Sequence, residues 1–124
     1  PDRLTRSRQP GARLPDGAVC VDRSTVFGNP WVVGDPGRFN WPHPTRAGWS
    51  VEMRLNLALD RESAVRFYRD WLHTDYVPMA PILTRAGEDA LASDMAARRA
   101  AILASLPKLR GRDLACYCPP GCPC

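Results

Sequence analysis

Two helix-forming segments separate the last short apolar run of this chain from the earlier ones, and this order restricts its fold more than any other feature. Strand-forming runs occupy residues 18–21, 31–33 and 113–118. Helical spacing of apolar side chains covers residues 61–72 and about 87–105. Strands that are separated by helices, and whose apolar runs are nearly continuous, favour a sheet buried on both sides. We therefore predict a small three-layer α/β domain with a mostly parallel or mixed sheet and flanking helices.

The apolar positions of the two helices predict which faces are buried. Asp60 is a good N-cap for the first helix, whose predicted buried stripe consists of Ala64, Val65, Tyr68, Trp71 and Leu72. In the second helix the apolar positions are Leu91, Met95, Ile102 and Leu106. On that helix we expect Asp94, Arg98 and Arg99 to face outward.

The length of 124 residues fits one domain and is too short for two ordinary ones. Residues 1–14 are polar and rich in arginine, so we expect a flexible basic arm that precedes a single α/β domain at 15–124. Within it, residues 34–59 combine glycines, prolines and tryptophans, which predicts a long loop. No run approaches the ~20 apolar residues of a membrane-spanning helix, and no apolar leader is visible, so we expect a cytoplasmic protein without a membrane partner.

The basic residues suggest an anionic partner without deciding which one. The formal net charge is +4, and the excess is concentrated near the N-terminus at Arg3, Arg6, Arg8 and Arg13. A basic arm of this kind fits a nucleic-acid-binding accessory protein, but a basic stripe interleaved with aromatics is missing. A Gly-rich phosphate loop, a His-Glu-x-x-His motif and a Gly-x-Ser-x-Gly motif are also absent, which argues against the common triphosphatases, metalloproteases and hydrolases.

Four of the five cysteines lie within the last nine residues, and this end is the segment best suited to chemistry. An odd number of cysteines, with Cys20 far from the others, does not fit a secreted disulfide framework. Zinc is a conceivable cofactor, with Cys116, Cys118, Cys122 and Cys124 as its ligands. The loop between the two pairs is short and rich in proline, however, which disfavours a tetrahedral site.

A catalytic thiol is the second interpretation of the cysteine-rich end. Cys118 and Cys124 are the candidate catalytic residues, because a helix that began directly after Cys124 would favour its thiolate. The structural alternative is that these thiols pack as small apolar side chains. For Cys116 we favour packing.

A second candidate site surrounds the sequence Gly28-Asn29-Pro30. Glycine permits a tight turn, and the proline holds Asn29 in an extended conformation, so that its carboxamide has a set direction toward a polar ligand. Arg23 could bind a phosphate or carboxylate with two hydrogen bonds. The structural alternatives are a rigid turn and a surface ion pair.

Three ordered motifs resemble those of the domain-of-unknown-function family 4326, which is found in phages and actinobacteria. The first comprises residues 8–19 with Asp22-Arg23-Ser24 and Gly28-Asn29-Pro30-Trp31, the second is Tyr68, Trp71 and Leu72, and the third is residues 109–119 with Pro123-Cys124. This chain departs from the family pattern at four positions, which are Ala12, Cys20, Asp22 and Ser24. The pattern continues after Cys124 with a histidine and an amphipathic helix, so the resemblance implies a truncated or degraded copy.

The resemblance implies no established reaction, although the association with phages makes nucleotide or nucleic-acid metabolism a reasonable expectation. We predict a pocket at the carboxyl ends of the strands, where open sheets bind ligands. Its predicted walls are Arg23, Gly28, Asn29 and Pro30 on one side, and Cys118, Pro119 and Cys124 on the other. The predicted function is a small enzyme that acts on a nucleotide or related phosphorylated metabolite. The alternatives are a zinc-stabilised binding module and a nucleic-acid-binding accessory protein that uses the arm.

Overall fold

A computed structural model describes residues 2–42, 50–77, 85–119 and 121–123 of the chain. Six strands and two helices follow one another in these ranges. They are β1 (Arg3–Thr5), β2 (Val19–Cys20), β3 (Trp31–Val32), β4 (Arg38–Pro42), β5 (Ser50–Arg54), α1 (Arg61–Thr74), α2 (Arg85–Leu109) and β6 (Leu114–Cys116). The predicted α/β class is confirmed, and the strands divide between one parallel and one antiparallel sheet.

The parallel sheet joins the two ends of the chain. Its strand order is β1-β6-β2, so the strand that comes last in the sequence lies in the middle. In β1, Leu4 lies opposite Ala115 of β6, and in β2, Cys20 lies opposite the same Ala115. Ala115 is fully buried and Cys116 almost so, as a central strand requires.

The prediction of a flexible arm is wrong for Arg3–Thr5, because these residues form the edge strand β1. Their burial alternates as exposed, half-buried and exposed, a pattern too short to show any periodicity in the sequence. The main chain continues the pairing after the strand, since Arg6 N donates to Cys116 O at 2.7 Å.

The prediction of a long loop at 34–59 is also wrong, because β4 and β5 lie within it. In β4 the side chains alternate, with Phe39 and Trp41 buried and Arg38 and Asn40 exposed. This alternation is visible in the sequence, but the surrounding glycines and prolines concealed it. The segment 43–49, which is also part of the predicted loop, lies outside the described residues.

The main core lies between the antiparallel sheet and the two helices. Trp31 packs edge-on against Phe39 and Trp71, with ring centroids 5.5 and 6.2 Å away, while Phe39 stacks on Trp41 at 6.1 Å. All four rings are at most 1 % exposed. Aromatic rings bury large apolar areas, and offset or edge-to-face pairs add to that stabilisation. From α2 this core receives Leu91, Met95 and Ile102.

Polar side chains of α2 tie the helix to the rest of the fold instead of facing outward as predicted. Arg98 donates to the carbonyls of Thr25 and Val26 at 3.0 and 3.1 Å. Arg99 donates to the carbonyls of Trp71 and Leu72 in the last turn of α1, where the Trp71 carbonyl also accepts from the main-chain N–H of Asp75. The indole N–H of Trp41 donates to Asp94. These three polar side chains therefore hold main-chain turns and a core ring in place.

Both helices agree with the sequence-based prediction in their position. Asp60 caps α1 by accepting a hydrogen bond from Ser63 N at 2.7 Å, as its type predicts. The helix ends at Asp75, which adopts the left-handed conformation with φ of 61°. Neither helix, within the residues described, is long and apolar enough to cross a membrane.

The aromatic core generates a prediction about stability. Phe39→Ala removes a ring that contacts Trp31 and Trp41, and large-to-small changes of this kind cost about 3–5 kcal/mol of unfolding free energy. Urea denaturation of the purified protein measures the change. Leu103→Ala is the control, because Leu103 is 37 % exposed on α2, and we expect a change within about 0.5 kcal/mol. A loss below about 1 kcal/mol in Phe39→Ala would contradict this description of the core.

Candidate functional site

The carboxyl ends of all three parallel strands meet at one edge of their sheet, as predicted for the ligand pocket. Arg6 and Arg8 follow β1, Asp22 follows β2, and Tyr117 and Cys118 follow β6. The parallel order β1-β6-β2 therefore brings residues from the beginning and the end of the chain together. We call this region the carboxyl edge.

A groove of about 1060 Å³ lies between the carboxyl edge and the two helices. One face of α1 lines it from Arg61 to His73, and the last turns of α2 contribute Ile102, Leu106 and Leu109. From the carboxyl edge the groove receives Arg6, Arg8, Asp22, Arg23, Ser24, Tyr117, Cys118 and Pro119. Residues of both predicted walls line this groove. Arg23 and Asn29 belong to the first predicted wall, and Cys118 and Pro119 belong to the second.

The N-terminal strand holds the cysteine-rich loop in place. Arg3 donates to the carbonyls of Cys122 and Pro119 at 2.7 and 3.1 Å. The hydroxyl of Thr5 donates to the carbonyl of Cys118 at 3.1 Å. The polar N-terminal residues thus supply hydrogen-bond donors to a proline-rich loop that has little regular pairing of its own.

Asp22 is the centre of a polar cluster that the sequence analysis did not identify. Its side chain is only 8 % exposed, and it forms an ion pair with Arg6. One carboxylate oxygen accepts hydrogen bonds from the main chain and the hydroxyl of Ser24. The other accepts from Arg6 and from the Cys20 thiol, at 3.0 Å in the second case. The Ser24 hydroxyl, and next the Cys20 thiol, hold the pKa of the Asp22 carboxyl well below its usual range.

Tyr117 carries two guanidinium groups against its ring. The guanidinium carbons of Arg6 and Arg8 lie 4.7 and 4.6 Å from the ring centroid, within the range of cation–π attraction. Because Asp22 fixes Arg6, and Arg6 contacts the ring, the Asp22 cluster also positions Tyr117. The Tyr117 side chain remains 37 % exposed at the groove.

The Asn29 carboxamide bonds to the main chain. Its Nδ2 donates to Ala64 O of α1 at 2.9 Å, and its Oδ1 accepts from Trp31 N at 2.9 Å. Arg23 donates to the carbonyls of Asn29 and Trp31 in the same turn. These hydrogen bonds stabilise the wall of the groove, whereas the sequence analysis predicted that Asn29 and Arg23 contact a ligand.

Gly28 and Pro30 are both buried, and they do not line the groove. A Cβ atom on Gly28 would lie 2.7 Å from Arg23 Cα and 2.8 Å from Arg23 O. The glycine therefore permits the close approach of two backbone segments, which agrees with the rigid turn considered as the structural alternative.

Among the four cysteines that the structure describes, Cys118 is the one with a half-buried side chain that lines the groove. Cys116 also lines it but is buried in β6, as its predicted packing role requires. Cys122 is half-buried in the adjoining loop. The second predicted catalytic residue, Cys124, lies outside the described residues, and the predicted set of four zinc ligands is therefore incomplete here. Within the described part of the chain, no group of three or more His, Cys, Asp or Glu side chains is placed to hold a metal ion.

The arginines that line the groove fall into two groups. Arg6 pairs with Asp22, and Arg23 bonds to main-chain carbonyls. The guanidinium groups of Arg8, Arg61 and Arg69 make no hydrogen bond or ion pair with any other residue that the structure describes. We call these three the open arginines. Asp22 is the only carboxylate among the described lining residues, so the charge of the open arginines is not balanced within the groove.

The family comparison agrees with the motifs that converge at this edge. The family model described as Domain of unknown function (DUF4326) matches residues 4–124, nearly the whole chain. The chain belongs to this family. No curated protein and no solved structure matches the chain significantly. Family membership therefore supports the resemblance in the sequence and leaves the reaction to be inferred from the site.

The buried carboxylate of Asp22 gives this family member a specific pH dependence. The low pKa means that its stabilisation is present above the unfolded pKa of about 3.9 and is lost as the pH falls below it. Asp22→Asn should cost on the order of 1–3 kcal/mol at pH 7, because Arg6 loses its ion-pair partner. Below about pH 4 the variant should lose stability less steeply than the parent protein.

Thermal melts followed by circular dichroism at pH 7, 5, 4 and 3 measure both effects. Asp16→Asn, which removes an exposed carboxylate from a turn, is the control and should keep the parent's pH dependence. Parallel curves for Asp22→Asn and the parent below pH 4 would show that the Asp22 cluster is not formed in solution.

The contacts of Asn29 make a separate prediction. Asn29→Ala removes two hydrogen bonds to buried main-chain groups, so we expect a loss of about 1–3 kcal/mol in unfolding free energy. Asn40→Ala is the matched control, because Asn40 is exposed on β4, and its loss should stay within about 0.5 kcal/mol. Equal denaturation midpoints for the two variants would argue against a structural role for the Asn29 carboxamide.

Proposed function

We propose that the protein is a small enzyme that binds a nucleotide or a related phosphorylated metabolite in the groove at the carboxyl edge. The observation that carries this proposal is the set of open arginines, Arg8, Arg61 and Arg69, which line one groove without a counter-charge. The planar guanidinium group presents N–H donors in a fork that matches phosphate oxygens. A groove with cations of one sign on its walls also concentrates anions from solution.

The rest of the lining suits the uncharged part of a nucleotide. The groove is also lined by apolar side chains such as Val65, Leu72 and Leu106, which offer a surface to a base or a sugar ring. Tyr68 lines the same region, and its hydroxyl is already used, since it donates to Phe27 O at 2.7 Å. Burial raises the pKa of Tyr68 to about 12, so that hydroxyl stays a donor at neutral pH.

Arg23 and Asn29 receive a changed role in this proposal. They shape the groove wall through their main-chain contacts, whereas the open arginines take over the contact with the anion. In the nucleic-acid alternative the arginines of the N-terminal arm bind the ligand. In our proposal Arg3 and Arg6 have a structural role, because Arg3 bonds to the Cys122 carbonyl and Arg6 pairs with Asp22.

Cys118 is the thiol that we propose for the chemistry. It follows β6 directly at the carboxyl edge, and the hydrogen bond from Thr5 to its carbonyl fixes its backbone. A half-buried thiol in a groove lined by cations is placed for nucleophilic or acid–base work on a bound anion.

The binding proposal predicts the effect of removing the open arginines. Calorimetric titration with ADP and with AMP measures the affinity. Arg61→Gln, Arg69→Gln and Arg8→Gln should each weaken binding of the better ligand by about 10-fold or more, the effect of one charged hydrogen bond. Arg66→Gln is the control on the same helix, because Arg66 is exposed outside the groove and stacks on Phe67. Equal weakening by Arg66→Gln, or no binding of either nucleotide, would refute the proposal.

The thiol proposal has its own internal control. ADP at a saturating concentration should slow the alkylation of Cys118 by iodoacetamide severalfold, because the ligand covers the groove that Cys118 lines. Cys122 should show a much smaller change, because it lies in the adjoining loop and does not line the groove. Mass spectrometry of the peptides after timed alkylation gives both rates. Equal protection of the two cysteines would contradict the assignment of Cys118 to the site.

A further inference from the structure

The open arginines differ from the other lining arginines because their side chains have no hydrogen-bond or ion-pair partner. Their own spacing carries information about the ligand. Arg61 and Arg69 are eight residues apart on α1, which corresponds to about 12 Å along a helix that rises 1.5 Å per residue. Arg8 lies across the groove from α1, against the ring of Tyr117. The spacing of Arg61 and Arg69 along α1 leaves room for each of them to contact a separate anionic group.

The surface between the two helix arginines is apolar. Val65 and Tyr68 lie between them in the sequence of α1, and both line the groove. The hydroxyl of Tyr68 is directed to the main chain of Phe27, so the ring presents its carbon atoms and not a free polar group. Two cations separated by an apolar surface fit a ligand whose two anionic groups are separated by an uncharged ring.

We infer that the ligand of this groove is a free nucleotide with phosphates on two separate positions of its ribose, of the nucleoside 3′,5′-bisphosphate class. This inference rests on the proposed function and specifies its substrate class. In a nucleoside diphosphate the two phosphates share a bridging oxygen and lie side by side. In a 3′,5′-bisphosphate the whole ribose separates them, so that Arg61 and Arg69 each meet one phosphate while the ring lies against the apolar surface.

The volume of the groove is consistent with such a ligand. At about 1060 Å³ the groove slightly exceeds the usual range for small-molecule sites, roughly 300–1000 Å³, so it is large enough for a nucleotide. A longer single-stranded nucleic acid would need further cationic side chains along the groove to contact its additional phosphates. Of the other N-terminal arginines, Arg3 on β1 bonds to the cysteine-rich loop, and Arg6, directly after β1, bonds to Asp22.

The test compares two isomeric ligands that carry the same number of phosphates. Calorimetric titration of the full chain with adenosine 3′,5′-bisphosphate and with ADP, at equal ionic strength, separates phosphate spacing from phosphate number. We expect the bisphosphate to bind on the order of 10-fold more tightly. Arg61→Gln and Arg69→Gln should each reduce that preference to about twofold or less, whereas Arg66→Gln should leave it unchanged. The substituted side chains are exposed or lack partners, and a thermal melt of each variant confirms that it is folded.

The outcomes distinguish this inference from the function on which it rests. Equal or tighter binding of ADP overturns the inference, while the nucleotide groove itself stands. Absence of binding for both nucleotides overturns both. A single-stranded hexanucleotide that binds more than 10-fold more tightly than the bisphosphate also overturns the inference, because the occupant would then be a nucleic acid. Retention of the full preference in both arginine variants overturns the placement of the phosphates on α1.

Discussion

The parallel pairing of β6 with β1 and β2 is the constraint on which the site depends. The last strand of the chain lies between two strands from its beginning, so the residues that follow all three strands meet at one edge. Removing β1 would expose one side of β6, whose Ala115 and Cys116 are buried. It would also take away the donors that Arg3 and Thr5 supply to the cysteine-rich loop. A strand of three residues thus contributes little packing of its own but fixes the position of the loop that carries Cys118.

The Asp22 cluster extends this constraint from the backbone to the side chains. A carboxylate that is almost fully buried needs hydrogen-bond donors, and Ser24, Cys20 and Arg6 provide them. Arg6 in turn contacts Tyr117, so a single buried charge connects β2, β1 and β6 through side chains.

The sequence was sufficient for the features that depend on local periodicity. The α/β class, the positions of both helices, the cap at Asp60 and the presence of a last strand, predicted at 113–118 and observed at Leu114–Cys116, all follow from patterns of a few neighbouring residues. The idea of a pocket at the carboxyl ends also followed, because it needs only the order of strands and helices. The strands β1 and β4 were missed for opposite reasons. The first is too short for any pattern, and the alternation of Phe39 and Trp41 in the second lies among turn-forming residues.

The side-chain roles within the pocket were harder to predict, since they depend on which partners the fold supplies. Asn29 has the residue type of a ligand-binding amide, yet both ends of its carboxamide bond to the main chain. Arg8, Arg61 and Arg69 look ordinary in a chain with many arginines, and only the tertiary structure shows that they share one groove. One signal was available: a charged or aromatic residue directly after a parallel strand lies at the carboxyl edge. Applied to the predicted strand at residues 18–21, that rule identifies Asp22. Arg6 and Tyr117 could be found only from the structure, because β1 was not predicted and the predicted last strand included Tyr117.

Arginine therefore serves two purposes in this protein, and the partner of each guanidinium group decides which one applies. Arg3, Arg98 and Arg99 donate to carbonyls of turns and helix ends, so their charge is used to stabilise the backbone. The open arginines line a groove in which, among the described residues, Asp22 is the single carboxylate and is already paired with Arg6. Arg61 and Arg69 lie on α1 and Arg8 lies at the carboxyl edge, and walls that carry charge of one sign attract anions. On our proposal an anionic ligand binds the folded chain and not the unfolded one, so ligand binding and folding stability are coupled through the same three side chains.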